Sequence, residues 1–146
     1  MSDTYDLARF LDAQEPVMAQ VMSELTAGRK TTHWMWFVFP QIEGLGHSPM
    51  ARRYAIRSLS EAEAYVRHDS LGSRLRACTR LVNGIEGRSI REILGSPDDL
   101  KFRSSMTLFS RAAQDDEPYI EALAKYFGGQ TDAATVERLS ADSKTR

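Results

Sequence analysis

Residues 31–41 read TTHWMWFVFPQ, and whether this run is helix or strand decides the fold. Its apolar residues, Trp34 to Phe39, are contiguous, a pattern that suits a buried helix and a buried strand equally. The rest of the chain arbitrates. No other segment reads as a convincing strand, and a lone strand would leave its backbone amides and carbonyls unpaired. The run is therefore assigned a short buried helix ending before Pro40, which cannot donate a backbone hydrogen bond. The wider stretch from Gly28 to Tyr54 holds both tryptophans, two of the six phenylalanines and two of the three histidines. No other segment sets so much aromatic area beside so many potential donors.

On the N-terminal side, residues 5–27 read as helix. Leu7, Phe10 and Leu11 share a face, and Val17, Val21 and Leu25 repeat at four-residue spacing. Pro16 predicts a kink or a junction of two helices, and Gly28 a left-handed stop. On the C-terminal side, Ser48-Pro49 is an N-cap followed by proline at the first helical position. Ser60 and Glu63 have capping-box spacing, and Asp69 can cap the next helix. In that helix Leu71, Leu75, Cys78 and Val82 form one buried stripe. Ser89 opens a short helix stopped by Gly95, and Ser96-Pro97 opens a longer one to about Ala113. Asp116 and Pro118 start another, stopped by Gly128-Gly129. A last turn around Val136 and Leu139 completes a domain over 1–139, before a polar tail, 140–146, expected to be disordered. The expected fold is all-α: a single compact multi-helix domain of about six to eight short helices.

At 146 residues the chain has the length of one domain. Its 42% hydrophobic and 27% charged residues are those of a globular protein. Nineteen basic against 20 acidic residues give a net charge of −1, which argues against a nucleic-acid partner. Cys78 is the one cysteine, so no internal disulfide can form, and a reducing, cytoplasmic setting fits. It reads as a small core residue. The N-terminus has no leader-like basic start and apolar run, and no apolar run approaches a membrane span, so no membrane partner is expected.

The segments DLARFLDAQ (6–14), GRKTTHWMWFVFPQIEGLG (28–46), SPMARRYAI (48–56), EAEAYVRHDSLGSRL (61–75) and KFRSSMTLF (101–109) resemble the domain-of-unknown-function 1810 family. Its members are mostly bacterial, and some carry the label calpastatin. The resemblance covers about residues 6–139, HWMWFVFPQ being the distinctive part. It implies a small α-helical domain and brings no established activity. A calpastatin-type inhibitory segment is a disordered chain that folds on its target. This sequence is aromatic, capped and periodic, so calpain inhibition is not expected.

For a site, Trp34, Trp36, Phe37 and Phe39 have two readings: pure core, or a partly exposed wall on which a ligand stacks. Lys30, His33 and Gln41 flank them, and the GLG loop at 44–46 lets backbone approach closely. Histidine titrates near physiological pH, but nothing in the sequence supplies a nucleophile for His33 to activate, so no catalytic residue is named. His33, His47 and His68 lack metal-ligand spacing, and neither a metal nor a cofactor is expected. Lys101, Ser104 and Ser105 lie within about one helical turn, so a cation and hydroxyls can meet one ligand. Their order is not that of S-x-x-K acylases, and no phosphate-binding glycine motif follows a strand. The expectation is that Lys30, His33, Trp34, Trp36, Gln41, Lys101, Ser104 and Ser105 bind, with or without turnover, a small polar or anionic molecule. The rival is a module that meets a protein partner through an exposed Trp34/Trp36 patch.

Overall fold

The 31–41 run turns inward and becomes helical only at its centre. In the computed structural model, which describes residues 3–145, it forms α3, Met35–Val38, with Trp34, Met35, Phe37, Val38 and Phe39 all buried. Beyond Pro40 the chain is extended: the Ile56 amide donates to the Gln41 carbonyl (2.9 Å) and the Glu43 amide to the Ile56 carbonyl (2.8 Å). This isolated parallel bridge between Ile42 and Ile56 satisfies backbone groups at a point where no helix can. No strand is present among the described residues, which contain ten helices.

Before the run come α1 (Ala8–Gln14) and α2 (Met18–Ala27), separated at Pro16 as expected, and α2 ends on Gly28 in the left-handed conformation (φ 78°). After it come α4 (Pro49–Arg53), α5 (Leu59–Arg67) and α6 (Asp69–Asn83). Ser48 caps α4, its hydroxyl accepting from the Ala51 amide at 3.1 Å. The α5 cap is Ser58, not Ser60: Ser58 accepts from the Glu61 amide at 3.1 Å. Glu61 sets that start, because its carboxylate is drawn into the core by Arg9 (2.7 Å) and by the Arg57 amide (3.2 Å). His68, not Asp69, caps α6. Its Nδ1 accepts from the amides of Ser70 (3.1 Å) and Leu71 (3.2 Å), since His68 is the single extended residue between two abutting helices.

The remaining helices are α7 (Ile90–Leu94), α8 (Asp98–Ala112), α9 (Glu117–Phe127) and α10 (Ala133–Thr145). Ser89 and Glu92 form a reciprocal capping box on α7. At α8 the cap position is Pro97, so Ser96 does not cap. α8 is the hub: α5, α7, α9 and α10 pack around it, and Phe102 through Phe109 are buried apart from Arg103. Its apolar residues are therefore not confined to a stripe. Aromatic rings run through the centre in tilted and edge-on contacts, from Trp34 to Phe39 (6.2 Å) to Phe102 (5.0 Å), and from Phe10 to Tyr65 (5.1 Å) to Phe109 (5.3 Å). Leu71, Leu75, Cys78 and Val82 of α6 are buried together. Where a disordered tail was expected from residue 140, α10 continues, and Asp142 accepts from the Leu59 amide at 3.0 Å. Arg146 lies outside the described residues.

Candidate functional site

The segment between α2 and α3 has almost no regular structure of its own, and a single carboxylate holds it. Val21 and Leu25 face the core, which places Glu24, on the same side of α2, inside as well. Its Oε1 accepts from the Thr31 amide (2.8 Å), the Thr32 amide (3.1 Å) and the Trp34 indole N–H (2.9 Å). Its Oε2 accepts from the Thr32 hydroxyl (2.5 Å) and the Gln20 amide (2.9 Å). Burial alone would raise its pKa. The donations from Thr32, Thr31, Gln20 and Trp34 outweigh that and hold it well below the usual carboxylate range.

Two lysines then meet one aspartate. The Lys30 amide donates to the Ile93 carbonyl (2.7 Å), fixing the backbone against α7. Its ammonium reaches Asp98 Oδ2 at 2.9 Å and lies 5.2 Å from the Trp34 ring centre. Lys101, one turn on from Asp98 in α8, approaches Oδ1 only to 3.7 Å and lies 5.6 Å from the Trp36 ring centre. Two cations sharing one carboxylate leave the cluster with an excess positive charge. Lys101 is the more exposed and more loosely paired of the two. It carries that excess to the surface.

Beside Lys101 opens a cleft of about 440 Å³. It is lined by Gln41, Leu45 and Gly46 from the segment after α3 and by Lys101 and Ser104 of α8. Arg103 and Asp132 line it too. Arg103 donates to the carbonyls of Gln130 (3.2 Å) and Thr131 (2.8 Å), and Asp132 accepts from the Thr135 hydroxyl (2.6 Å). Leu100, 57% exposed, stands at the rim. A small adjoining hollow of about 20 Å³ shares Gln41 and Gly46 with the cleft and is lined by half-buried Trp36.

The expected site residues therefore divide. Gln41, Lys101 and Ser104 line one cleft, with Trp36 alongside. Lys30 stands behind them, joined through Asp98. Trp34 is core at 1% exposure, so it belongs to no surface patch. His33 is exposed and lines neither hollow. Ser105 is fully buried and its hydroxyl has no hydrogen-bond partner among the described residues. The glycines of GLG serve packing within the chain: a side chain at Gly44 would overlap the Arg138 guanidinium, and one at Gly46 would come within 2.7 Å of Ala51 Cβ. Sequence reasoning missed Glu24, although a carboxylate between Val21 and Leu25 on an apolar face was a signal. It also missed Asp132, whose three-residue spacing to Thr135 is a helix-start pattern.

Residues 4–139 match the family described as Protein of unknown function (DUF1810), and the chain belongs to that family. It is similar to the conserved hypothetical protein Rv1873 from Mycobacterium tuberculosis, known from a crystal structure at 1.38 Å. The two share 59% sequence identity and superpose with a TM-score of 0.93, over 94% of this chain and 99% of that one. No curated protein matches the sequence. No helix of the described residues is long and apolar enough to cross a membrane.

Proposed function

We propose that the cleft beside Lys101 binds a small polar molecule through an anionic group. The observation that carries this reading is the Lys101 ammonium: it shares Asp98 with Lys30, lies against the Trp36 ring, and lines the same cleft as Gln41 and Ser104. A loosely paired cation against an aromatic face, with an amide and a hydroxyl at hand, suits an anion attached to a planar or apolar body. Lys30 acts as a positioning cation, since it occupies the better oxygen of Asp98 and leaves Lys101 available. The cytoplasm is the proposed setting, in keeping with the free, buried Cys78.

The rival, a protein-docking aromatic patch, has weaker support because Trp34 is buried and only Trp36 reaches the surface. The test is a thermal-shift screen of small carboxylates, phosphorylated metabolites and nucleotides, followed by amide and indole NMR titration of each hit. A ligand at 100 times its dissociation constant raises stability by about 2.7 kcal/mol, a readily measured shift. The expected result is saturable perturbation at Gln41, Lys101, Ser104 and the Trp36 indole, with affinity reduced about tenfold or more in Lys101→Ala. Hits that perturb other surfaces, or that bind Lys101→Ala unchanged, would overturn the reading.

A further inference from the structure

A second polar groove lies at the elbow between α5 and α6, and the cleft beside Lys101 does not involve it. Its geometry follows from the junction. His68 ends one helix and caps the next, and Gly72 lets the first turn of α6 lie directly on the Val66 carbonyl, which any side chain at 72 would overlap. Arg67 at the end of α5 then projects beside Ser73, Arg76 and Arg80, which follow one another at three and four residues along one face of α6. Together they line an open groove of about 410 Å³.

Its charge is only partly compensated. Three guanidiniums face one carboxylate, Asp69, and among the described residues none of Arg67, Arg76 and Arg80 has an ion-pair partner. Arg74, on the opposite face of the same helix, is by contrast paired with Glu15 at 2.6 Å. Arg76 Nε is buried with no hydrogen-bond partner. Burial pushes the Tyr119 phenol up, and the nearby Arg76 guanidinium, which lines the groove, pulls it back. His68 Nδ1 is occupied by the Ser70 and Leu71 amides, so Nε2 carries the ring proton and is a further donor. Planar guanidiniums, a ring N–H and a serine hydroxyl make a donor set suited to a tetrahedral oxyanion.

We propose that this groove is a binding site for a phosphate-bearing small molecule, with Arg76 and Arg80 as its principal contacts. Arg80 also lines an adjoining groove of about 420 Å³ with Leu81, Ile85, Glu86 and Arg88. That ground, which includes the Glu86 and Arg88 side chains, lies where the hydroxyl-bearing part of a phosphate ester would extend, so the site favours an ester over free phosphate.

The experiment titrates the full chain with inorganic phosphate, then with glycerol 3-phosphate, at ionic strength held constant with sodium chloride. Backbone amides and arginine Nε–H groups are followed by NMR. The expected result is saturable shifts at Ser73 and at the side chains of Arg76 and Arg80, tighter for the ester. Arg76→Gln and Arg80→Gln should each weaken binding about tenfold or more, whereas Arg52→Gln should bind as the wild type does. Because Arg76 is partly buried and its variant can lose structure, the exposed Arg80→Gln decides if that happens. Shifts that grow without saturating, or equal affinity in Arg80→Gln, would overturn the proposal. So would pelleting with phosphatidylglycerol vesicles while neither soluble phosphate perturbs the groove, which would mark a lipid-surface contact.

Discussion

Replacing Glu24 tests the idea that one buried carboxylate organises the segment leading into the cleft. Its side chain is 4% exposed and accepts from five donors. In Glu24→Ala the exposed Thr31 and Thr32 groups can turn to water, but the Trp34 indole, at 1% exposure, cannot. A stranded buried donor costs about 1–3 kcal/mol, and the lost methylenes add to it, so the variant should lose about 2–4 kcal/mol. Glu24→Gln keeps the shape. Its carbonyl can serve three donors while Thr32 and Gln20 reorient to its amide, and removing the charge should cost about 1–2 kcal/mol.

Urea unfolding at a series of pH values separates these terms. The folded pKa of Glu24 is depressed, so its contribution is fully present above the unfolded carboxylate pKa, about 4.3. It is lost as pH falls through the folded value. The wild type should therefore exceed Glu24→Gln in stability at pH 7, and the gap should close progressively below about pH 4.5. The Trp34 indole proton should also move in both variants. Equal midpoints at pH 7, or a gap independent of pH, would refute the assignment of Glu24 as the ionised acceptor.

Three further outcomes follow from the same geometry, each read as a urea midpoint. Lys30→Ala should cost about 1.5–3 kcal/mol, because the lysine side chain is 7% exposed and leaves Asp98 with only the loosely placed Lys101. An unchanged midpoint would mean that the Lys30–Asp98 pair does not contribute to the folded state. Arg9→Ala should cost about 3–5 kcal/mol, since it strands buried Glu61 and releases the carbonyls of Arg53 and Ala55. Arg9→Lys should recover only part, because one ammonium cannot reproduce the fork. Leu75→Ala should lose about 2–5 kcal/mol to the cavity it leaves in the α6 face, and a neutral result would mean that this stripe is not core.

What could be read in advance followed the range of the interaction. Gly28, the Ser48-Pro49 start, the Ser89–Glu92 box and the α6 stripe were legible because each depends on residues a few positions apart. The starts of α5 and α6 were misread because Glu61 answers to Arg9, 52 residues away, and His68 answers to the abutment of two helices. A capping pattern contains neither fact. Periodicity marks Phe102, Met106 and Phe109 of α8 as one buried face, but not the burial of Ser104, Ser105, Thr107 and Leu108, which several enclosing neighbours impose. Of the expected site residues, Gln41, Lys101 and Ser104 line one cleft, which their residue types alone could not place. Sorting Trp34 from Trp36 needed the third dimension: Glu24 pulls one indole inward, while the other follows the opposite side of a four-residue helix.

That sorting links the frame to the cleft. A short helix such as α3 cannot hold its own register, because too few backbone bonds form within it. Its position is set from both sides instead. Glu24 grips the residues before it, and the Ile42–Ile56 bridge grips those after it. Between these two grips Trp36 has little freedom, and Lys30, tied to Ile93 and Asp98, fixes the same segment to the start of α8. Lys101 and Ser104 on that helix thus face Gln41 across a fixed gap, although about sixty residues separate them in the chain. The proposed site, held this way, would lose little conformational entropy when a ligand arrives. The polar groups that look structural in isolation are what make the proposed binding geometry available before binding.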